Sequence, residues 1–353
     1  LLQIEEAQDV VSNDIFRVYP ITVKDLKEAG TEYENETQEK MKIGTYVGNK
    51  WGGKYLRAPD IFFTILRKGK GKLVKLGDIA EVRRGFTTGA NEFFYLTDAQ
   101  AKERGIEKEF LKTVIKSPRE CKSILVNTKD LKYKIFICNK SKKELKGTNA
   151  LKYIEWGERQ KVTIGSNTFV GFHNTETVKN RCQWWSVSEQ LGNVFWSKEI
   201  RERIAAFVSK EQLRADCRLY ATNLQPNMKI IMNSTLVAFV GEVQKRDIGG
   251  GGGPRSMMVY EVSDLYVPMI DQFFMKNEND FLSREIRSIF EECGIDPKSK
   301  IPIEEQEPKP LPDRAELDKI VFDALGLTAD ERKDVYRAVC RLVWNRISKA
   351  KSM

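Results

Sequence analysis

The sequence predicts an α+β fold, with a twisted, mainly antiparallel β-sheet followed by a helical region at the C-terminal end. Three observations predict it. Short apolar runs separated by turn residues fill positions 73–269, helical periodicity with capping residues fills the last 80 positions, and hydrophobic residues make up 41% of the chain beside 31% charged residues. That composition is typical of a globular domain and not of a disordered chain.

The N-terminal part begins with a short strand and a helix. Residues 13–26 alternate in polarity and predict a strand that leads into a short helix, and the polar residues 30–54 predict a loop or linker. Pro59 then precedes an amphipathic helix that Gly69 and Gly71 should end. The amino end is acidic and lacks an initiator Met, so we expect a piece of a longer protein.

The middle of the chain predicts a sheet. Strands are predicted over the runs KLGDIAEVRRG, NEFFYLTD, YKIFICNK, NTFVGFHN, KIIMNSTLVAFVGEV and SMMVYEVSDLYVP. A helix is predicted at about 197–213, where the sequence is SKEIRERIAAFVSKEQL.

The last part predicts three helices. FLSREIRSIFEECG should end at Gly294, and a proline-rich connector follows it. Asp313 is predicted to cap the next helix, and Thr328 with Glu331 forms a capping box for the last one. The last helix carries an apolar stripe suited to packing, formed by Val335, Ala338, Val339, Leu342, Val343 and Ile347.

These patterns predict three consecutive segments, namely residues 1–54, 55–275 and 276–353, and the middle one carries the positive charge. Residues 51–275 hold 38 Lys and Arg against 24 Asp and Glu, a surplus of +14, whereas the rest holds 21 against 26. A polyanion such as DNA is the natural partner of this surplus, because neutralised phosphates release counterions. A basic surface that serves only solubility is the alternative.

Several function classes lack their residues in this sequence. The six cysteines form no Cys-x-x-Cys pair, which argues against a zinc site or disulfide framework and favours reduced thiols in a cytoplasmic protein. One histidine, His173, disfavours a hydrolytic triad and most metal sites. The chain has no phosphate-binding loop, no dinucleotide glycine motif and no apolar run of membrane-spanning length. The sequence therefore shows no recognisable catalytic centre or metal site.

The stretch VRRGFTTGANEFF is the leading candidate for a DNA-binding site. Arg83 and Arg84 deliver two cations to a turn bracketed by Gly85 and Gly89. Thr87, Thr88 and exposed N–H groups of the turn suit phosphate oxygens, and Asn91 could read the edge of an adenine. An ordinary hairpin turn with solvated arginines remains the alternative.

Two further places could contact DNA. Trp184 and Trp185 are adjacent, so on a strand they would point to opposite faces and leave one, taken as Trp185, exposed for base stacking. Lys245, Arg246 and Arg255 flank a run of five glycines that could lie against phosphates. Core packing of both indoles and a solvated loop are the alternatives.

The order of several motifs resembles the target recognition domain of adenine-specific DNA methyltransferases from restriction–modification systems. The similarity begins with KYLRAPD and KLVKLGDIAEVRRGFTTGANEFFYL. It continues through RCQWWSVS, NVFWSKEI, ADCRLYATN and GEVQKRDIGGGGG to the helical tail ELDKIVFDALGLTADERKDVYRAVCRLVWNRISKAK. KLGDIAEVRRGFTTG is also similar to the opening of recognition domains in type I specificity subunits. Together these motifs cover about residues 13–353.

The resemblance implies a role in sequence-specific DNA binding. It implies that residues 1–54 are the end of a catalytic domain and its linker, that 55–275 bind double-stranded DNA, and that S-adenosylmethionine serves the parent enzyme. The family's glycine motif and Asn/Asp-Pro-Pro-aromatic motif are not in this sequence, so we expect no cofactor in this part and no methylation by the chain alone. A type I specificity subunit and a protein-interaction module are the alternatives.

Overall fold

The computed structural model describes residues 11–12, 17–18, 22–29, 31–33, 44–46, 58–188, 190–244 and 254–349. The strands are β1 (Val11–Ser12), β2 (Arg17–Val18), β3 (Thr31–Tyr33), β4 (Gly44–Tyr46), β5 (Leu73–Lys75), β6 (Arg83–Arg84), β7 (Tyr95–Leu96), β8 (Leu111–Ile115), β9 (Lys134–Phe136), β10 (Lys161–Ile164), β11 (Asn167–Val170), β12 (Gly192–Ser197), β13 (Glu199–Ile200), β14 (Ala206–Ala215), β15 (Leu219–Thr222), β16 (Arg255–Ser256) and β17 (Tyr266–Pro268).

The helices follow in the same order. They are α1 (Val23–Ala29), α2 (Asp60–Lys68), α3 (Leu76–Ile79), α4 (Asn91–Phe94), α5 (Asp98–Glu103), α6 (Asn149–Arg159), α7 (Pro226–Ile231), α8 (Thr235–Gln244), α9 (Val259–Ser263), α10 (Glu278–Ser283), α11 (Ile289–Cys293), α12 (Pro312–Leu325) and α13 (Ala329–Lys349). The predicted α+β class, with a mainly antiparallel sheet and C-terminal helices, is confirmed.

The described residues form two compact units that interleave along the chain. The sheet unit comprises residues 83–197 and 207–223, and the helical unit comprises the described residues of 1–82, 198–206 and 224–353. The three consecutive segments predicted from the sequence do not follow this division, and as functional domains they stay a prediction.

The sheet unit contains a seven-stranded sheet in the order β6-β15-β12-β14-β8-β9-β7. β15 pairs antiparallel with β12 and β6, β9 pairs antiparallel with β8 and β7, and β14 runs parallel to β8. An aromatic core covers the sheet. Its centre is Phe93, whose ring lies 4.6 Å from that of Tyr153 and 4.4 Å from that of Trp184. Phe86 and Ala90, which follow β6, belong to the same core.

The helical unit is organised around α8, whose residues are buried from Thr235 to Val243. α8 packs against α12 and α13. Its first residue is fixed by a carboxylate, because Asp318 accepts hydrogen bonds from the backbone N–H of Thr235 at 2.7 Å and from its hydroxyl at 2.6 Å. A helix start that is fully buried needs such a partner for its unpaired N–H groups.

Helices with local signals were predicted well. α2 begins after Pro59 and ends at Gly69, as predicted, and buries Ile61, Phe62 and Ile65. The predicted capping box of α13 is confirmed, since the Thr328 N–H donates to Glu331 at 2.7 Å and the Glu331 N–H donates to the Thr328 hydroxyl at 3.3 Å. The predicted stripe of α13 is buried from Val335 to Val343.

Other predicted elements were wrong. The run 229–243 forms α7 and α8 instead of a strand, the run 206–213 lies in β14 instead of a helix, and NEFF forms α4 before the short strand β7. The predicted loop 30–54 contains the paired strands β3 and β4. The helix predicted before Gly294 is broken into α10 and α11, since Arg284 and Ser288 are extended.

Asp313 does not cap α12. Leu311 is the N-cap residue, and Asp313 lies in the first turn, where its carboxylate accepts hydrogen bonds from Arg284.

Candidate nucleic-acid interface

The arginine turn, residues 83–91, starts on the edge strand of the seven-stranded sheet. Arg83 pairs with Ala221 of β15, and Arg84 pairs with Tyr220 of the same strand. The Arg83 side chain is exposed, whereas Arg84 is half-buried and its Nε donates to the carbonyl oxygen of Cys217 at 3.2 Å. Arginines on an edge strand also discourage pairing with a second chain, so this position alone does not specify DNA.

Gly85 and Phe86 fix the arginine turn to a second turn, residues 215–219. The Gly85 N–H donates to the Leu219 carbonyl at 3.0 Å, and the Phe86 N–H donates to that of Ala215 at 2.8 Å. A Cβ on Gly85 would lie 2.3 Å from the carbonyl oxygens of Ala215 and Asp216. These two N–H groups bind the chain itself and are therefore not among the exposed N–H groups predicted to suit phosphate oxygens.

The second turn places another cation beside the first. Arg218 lies in it with an exposed side chain, and its backbone N–H donates to Asp216 Oδ1 at 3.0 Å. The Asp216 carboxylate is buried and also accepts a hydrogen bond from the Tyr95 hydroxyl at 2.6 Å. Burial, followed by the charge of Asp216, raises the pKa of Tyr95 above its ordinary value, so Tyr95 stays a donor. This carboxylate therefore fixes the second turn internally and ties it to Tyr95 of β7.

Arg181 brings a further cation to the arginine turn from a distant part of the chain. Its Nη2 donates to the Thr87 carbonyl oxygen at 2.8 Å, and its Nη1 is buried with no hydrogen-bond partner among the described residues. Burial lowers the pKa of Arg181, yet a guanidinium stays charged in proteins. Residue 89 must be a glycine for the segment that carries Arg181 to pack this closely. Gly89 has φ 71°, and a Cβ there would lie 2.6 Å from the Cβ of Thr177 in the same segment.

The polar side chains of the arginine turn differ in their exposure. Thr87 and Asn91 are exposed, whereas Thr88 is only 2% exposed and its hydroxyl donates to Asn91 Oδ1 at 2.5 Å. The prediction that the Thr88 hydroxyl meets a phosphate is wrong, because this hydroxyl faces inward and orients Asn91. The Asn91 amide thus sits at the surface with one acceptor position already used.

The two adjacent tryptophans are both buried, at 6% and 7% exposure for Trp184 and Trp185. The prediction of an exposed Trp185 is wrong because residues 181–188 form no strand: 181–183 are bends and 184–185 form a turn, so the alternation of a strand does not apply. The Trp185 Nε1 donates to the Lys140 carbonyl at 3.3 Å, and the Trp184 Nε1 donates to Glu158 at 3.0 Å. Trp185 therefore packs in the core instead of presenting a stacking surface.

The remaining predicted residues are only partly covered by the structure. Lys245 and Arg246, with the glycine run, lie outside the described residues. Arg255 begins β16 in the helical unit, where it pairs with Ile200. These three residues stay a prediction.

The charge of the chain is concentrated in the sheet unit. Residues 83–197 and 207–223 hold 24 Lys and Arg against 14 Asp and Glu, a net charge of +10, whereas the rest of the chain holds 35 against 36. The sheet unit therefore accounts for the whole net charge of +9. A polyanion would be attracted to this unit.

Sequence reasoning missed Arg181 and Arg218 as members of this site. Arg181 contacts Thr87, which lies 94 positions earlier in the chain. Arg218 lies in the second turn, which backbone hydrogen bonds join to the arginine turn. The only local signal was that each is a cation in a turn rich in small or polar residues. Such a signal does not predict which other turn each of these turns contacts in the folded protein.

Other site types find no support in the described part of the chain. No helix there is long and apolar enough to cross a membrane. Within those same residues, no three His, Cys, Asp or Glu side chains are grouped so that they could hold a metal ion. All six cysteines are free thiols, of which Cys182 is exposed.

The fold is shared with a restriction enzyme. The chain is similar to the crystal structure of the type IIG restriction endonuclease BpuSI, with a TM-score of 0.53 and 11% sequence identity over 89% of this chain. The similar region is 36% of the length of that endonuclease. At this identity the similarity concerns the fold.

Residues 48–292 match the family described as the C-terminal domain of the type II methyltransferase M.Eco57I. The match spans more than half of the chain, so the protein belongs to this family, and the resemblance to a restriction–modification methyltransferase is confirmed.

Proposed function

We propose that the chain is the DNA target recognition part of an adenine-specific, S-adenosylmethionine-dependent DNA methyltransferase of a restriction–modification system. The observation that carries this proposal is the position of the arginine turn on the unit that holds all of the net positive charge. Membership of a methyltransferase C-terminal family makes duplex DNA the fitting polyanion. The matched family is of type II, which favours this function over a type I specificity subunit.

The chemistry of the site suits the sugar–phosphate backbone. Arg83 and Arg218 have exposed side chains on two turns that backbone hydrogen bonds fix to one another, and Thr87 between them is exposed. Arg181 adds its positive charge through the side-chain hydrogen bond to the Thr87 carbonyl oxygen. Arginine binds phosphate oxygens in bidentate geometry, so a rigid set of arginines fixes the register of a duplex. Asn91 would lie nearest to the bases. Arg84 would stabilise the arginine turn through its hydrogen bond to the Cys217 carbonyl oxygen.

The methyl transfer itself would take place outside these 353 residues. A methyltransferase that extrudes a base has an unstacking cost of a few kcal/mol, which contacts from a separate recognition unit can offset. S-adenosylmethionine and the base-binding tetrapeptide would belong to the catalytic domain of the parent enzyme, since neither motif occurs in this sequence. The parent would work in the cytoplasm, where its DNA substrate lies.

The test is the salt dependence of duplex binding, measured by fluorescence anisotropy with the whole chain. We expect binding at low ionic strength, with a logarithm of the association constant that falls linearly with the logarithm of salt concentration. Arg83→Ala and Arg218→Ala should each reduce the slope by about 0.9, the value for one lost phosphate contact.

The matched controls are Lys298→Ala and Lys300→Ala, which remove exposed cations from the helical unit. They should leave the slope unchanged. Absence of binding at low salt, or equal effects of the four substitutions, would contradict the proposal.

A further inference from the structure

A two-stranded hairpin, residues 161–170, projects from the sheet unit. β10 and β11 pair antiparallel from Lys161 opposite Val170 to Ile164 opposite Asn167, as a sheet of their own. The turn contains Gly165 at φ 61° with open space around it, which is the conformation that tight hairpin turns require.

Only the base of the hairpin is anchored. Val162 is buried in the aromatic core and Phe169 opposite it is half-buried, whereas the six other strand residues are exposed. Ile164 and Val170 are 48% and 67% exposed. A hairpin of two strands is marginally stable in water by itself, so an exposed one with apolar side chains is suited to covering by a partner.

The composition of the hairpin indicates which partner. From Arg159 to Thr175 the sequence has two cations and no carboxylate, while hydroxyls and an amide line its exposed part in Thr163, Ser166, Asn167 and Thr168. These groups can donate to and accept from base edges, and exposed aliphatic side chains can contact thymine methyl groups. The absence of acidic residues over this length suits a surface close to phosphates.

The hairpin is also continuous with the arginine turn. β11 leads directly into residues 171–181, in which Thr177 packs beside Gly89 and Arg181 bonds to Thr87. One short segment therefore connects the arginine turn to an exposed β-ribbon. The major groove of duplex DNA is wide enough to admit a two-stranded β-ribbon.

We propose that the hairpin 161–170 enters the major groove of duplex DNA and reads base edges through Ser166 and Asn167, with Lys161 on a flanking phosphate. This assignment rests on the proposed function and adds to it the element that determines sequence specificity. The arginine turn supplies the sequence-independent affinity.

The test is selection from a pool of random duplexes by the whole chain, followed by sequencing of the retained DNA. The wild-type chain should enrich a defined sequence. The double variant Ser166→Ala/Asn167→Ala should lose enrichment at neighbouring positions and lose about 10-fold in its preference for that sequence over a scrambled duplex. Its affinity for the scrambled duplex and its salt slope should be unchanged, and its thermal midpoint should match the wild type because the residues are exposed.

The control is Asn227→Ala, an exposed asparagine of the helical unit. The assignment is overturned if the double variant enriches the same sequence with the same preference, or if the wild-type chain binds duplexes without enriching any sequence. In the first case sequence-selective binding persists and the proposed function stands, whereas a wild-type chain without any sequence preference would overturn target recognition as well. Loss of all duplex binding by the wild-type chain would instead overturn both.

Discussion

At Gly85 the backbone of the arginine turn has no space for a side chain. Because a Cβ would lie 2.3 Å from two backbone oxygens, we expect Gly85→Ala to push the arginine turn away from residues 215–219. Overpacking of this kind costs about 1–3 kcal/mol, so the free energy of unfolding measured in urea should fall by that amount. Duplex binding should fall as well, because Arg83 and Arg218 would no longer be held together.

Gly147→Ala serves as the control for backbone strain. Gly147 has φ 87° with open space where a Cβ would be, so alanine there is strained but does not clash. We expect a smaller loss of stability and unchanged duplex binding. Equal effects of the two substitutions would show that the contact between the two turns is unimportant.

At the residue scale, the sequence predicted the chemistry of the site better than its geometry. Arg83, Thr87 and Asn91 are exposed, as a binding turn requires. Thr88 and Trp185 are buried because the turn folds back on the core, which a local pattern does not reveal. Arg181 was not connected to the arginine turn, since contacts between residues 94 positions apart leave no trace in a single sequence.

At the scale of elements, prediction succeeded where the signal was local and failed where packing decides. The start and end of α2 and the capping box of α13 depend on residues within one turn. α8 is buried on all sides, so its sequence lacks the alternation of faces that indicates a helix and resembles a buried strand. β14 has residues with helical preference in its centre, and its position between β12 and β8 in the sheet overrides them.

A buried ion cluster joins α10, α11 and α12 in the helical unit. Arg284 donates two hydrogen bonds of 2.7 Å to Glu292, and the Arg314 Nε donates to the same carboxylate at 3.1 Å. Burial by itself would raise the pKa of Glu292, but these arginines outweigh it and hold the pKa below its ordinary value. Glu292→Gln should therefore destabilise the protein by about 3–5 kcal/mol at neutral pH, because it leaves buried arginines without their counter-charge.

The pH dependence provides the measurement. A carboxylate with a lowered pKa in the folded state stabilises it above the unfolded pKa of about 4.3, and this stabilisation is lost as the pH falls through the folded value. The difference in unfolding free energy between wild type and Glu292→Gln should thus shrink below about pH 4. The control Glu304→Gln, in an exposed pair with Arg341, should cost less than about 1 kcal/mol. A difference that stays constant into acid would contradict this role of Glu292.

At the scale of the whole molecule, the net positive charge lies in one of the two units. The sheet unit is assembled from two stretches of chain, and its +10 contrasts with −1 for the rest. The sequence already shows a basic middle region, since residues 51–275 carry a surplus of +14 against −5 for the rest of the chain. The pairing of β14 and β15 with strands far away in sequence adds that +10 of this charge belongs to one compact unit.

This separation predicts where bound DNA slows amide hydrogen exchange. With saturating duplex at low salt, exchange should slow in peptides that cover residues 83–91, 161–170 and 216–218, because phosphates and base edges would exclude water there. Peptides from α12 and α13 should exchange at the rate of the unbound chain, since they belong to the unit without excess positive charge. The same duplex at a salt concentration that abolishes binding is the control, and it should slow no peptide. Slowing confined to α12 and α13 would place DNA on the helical unit and contradict the assignment of the sheet unit as the recognition surface.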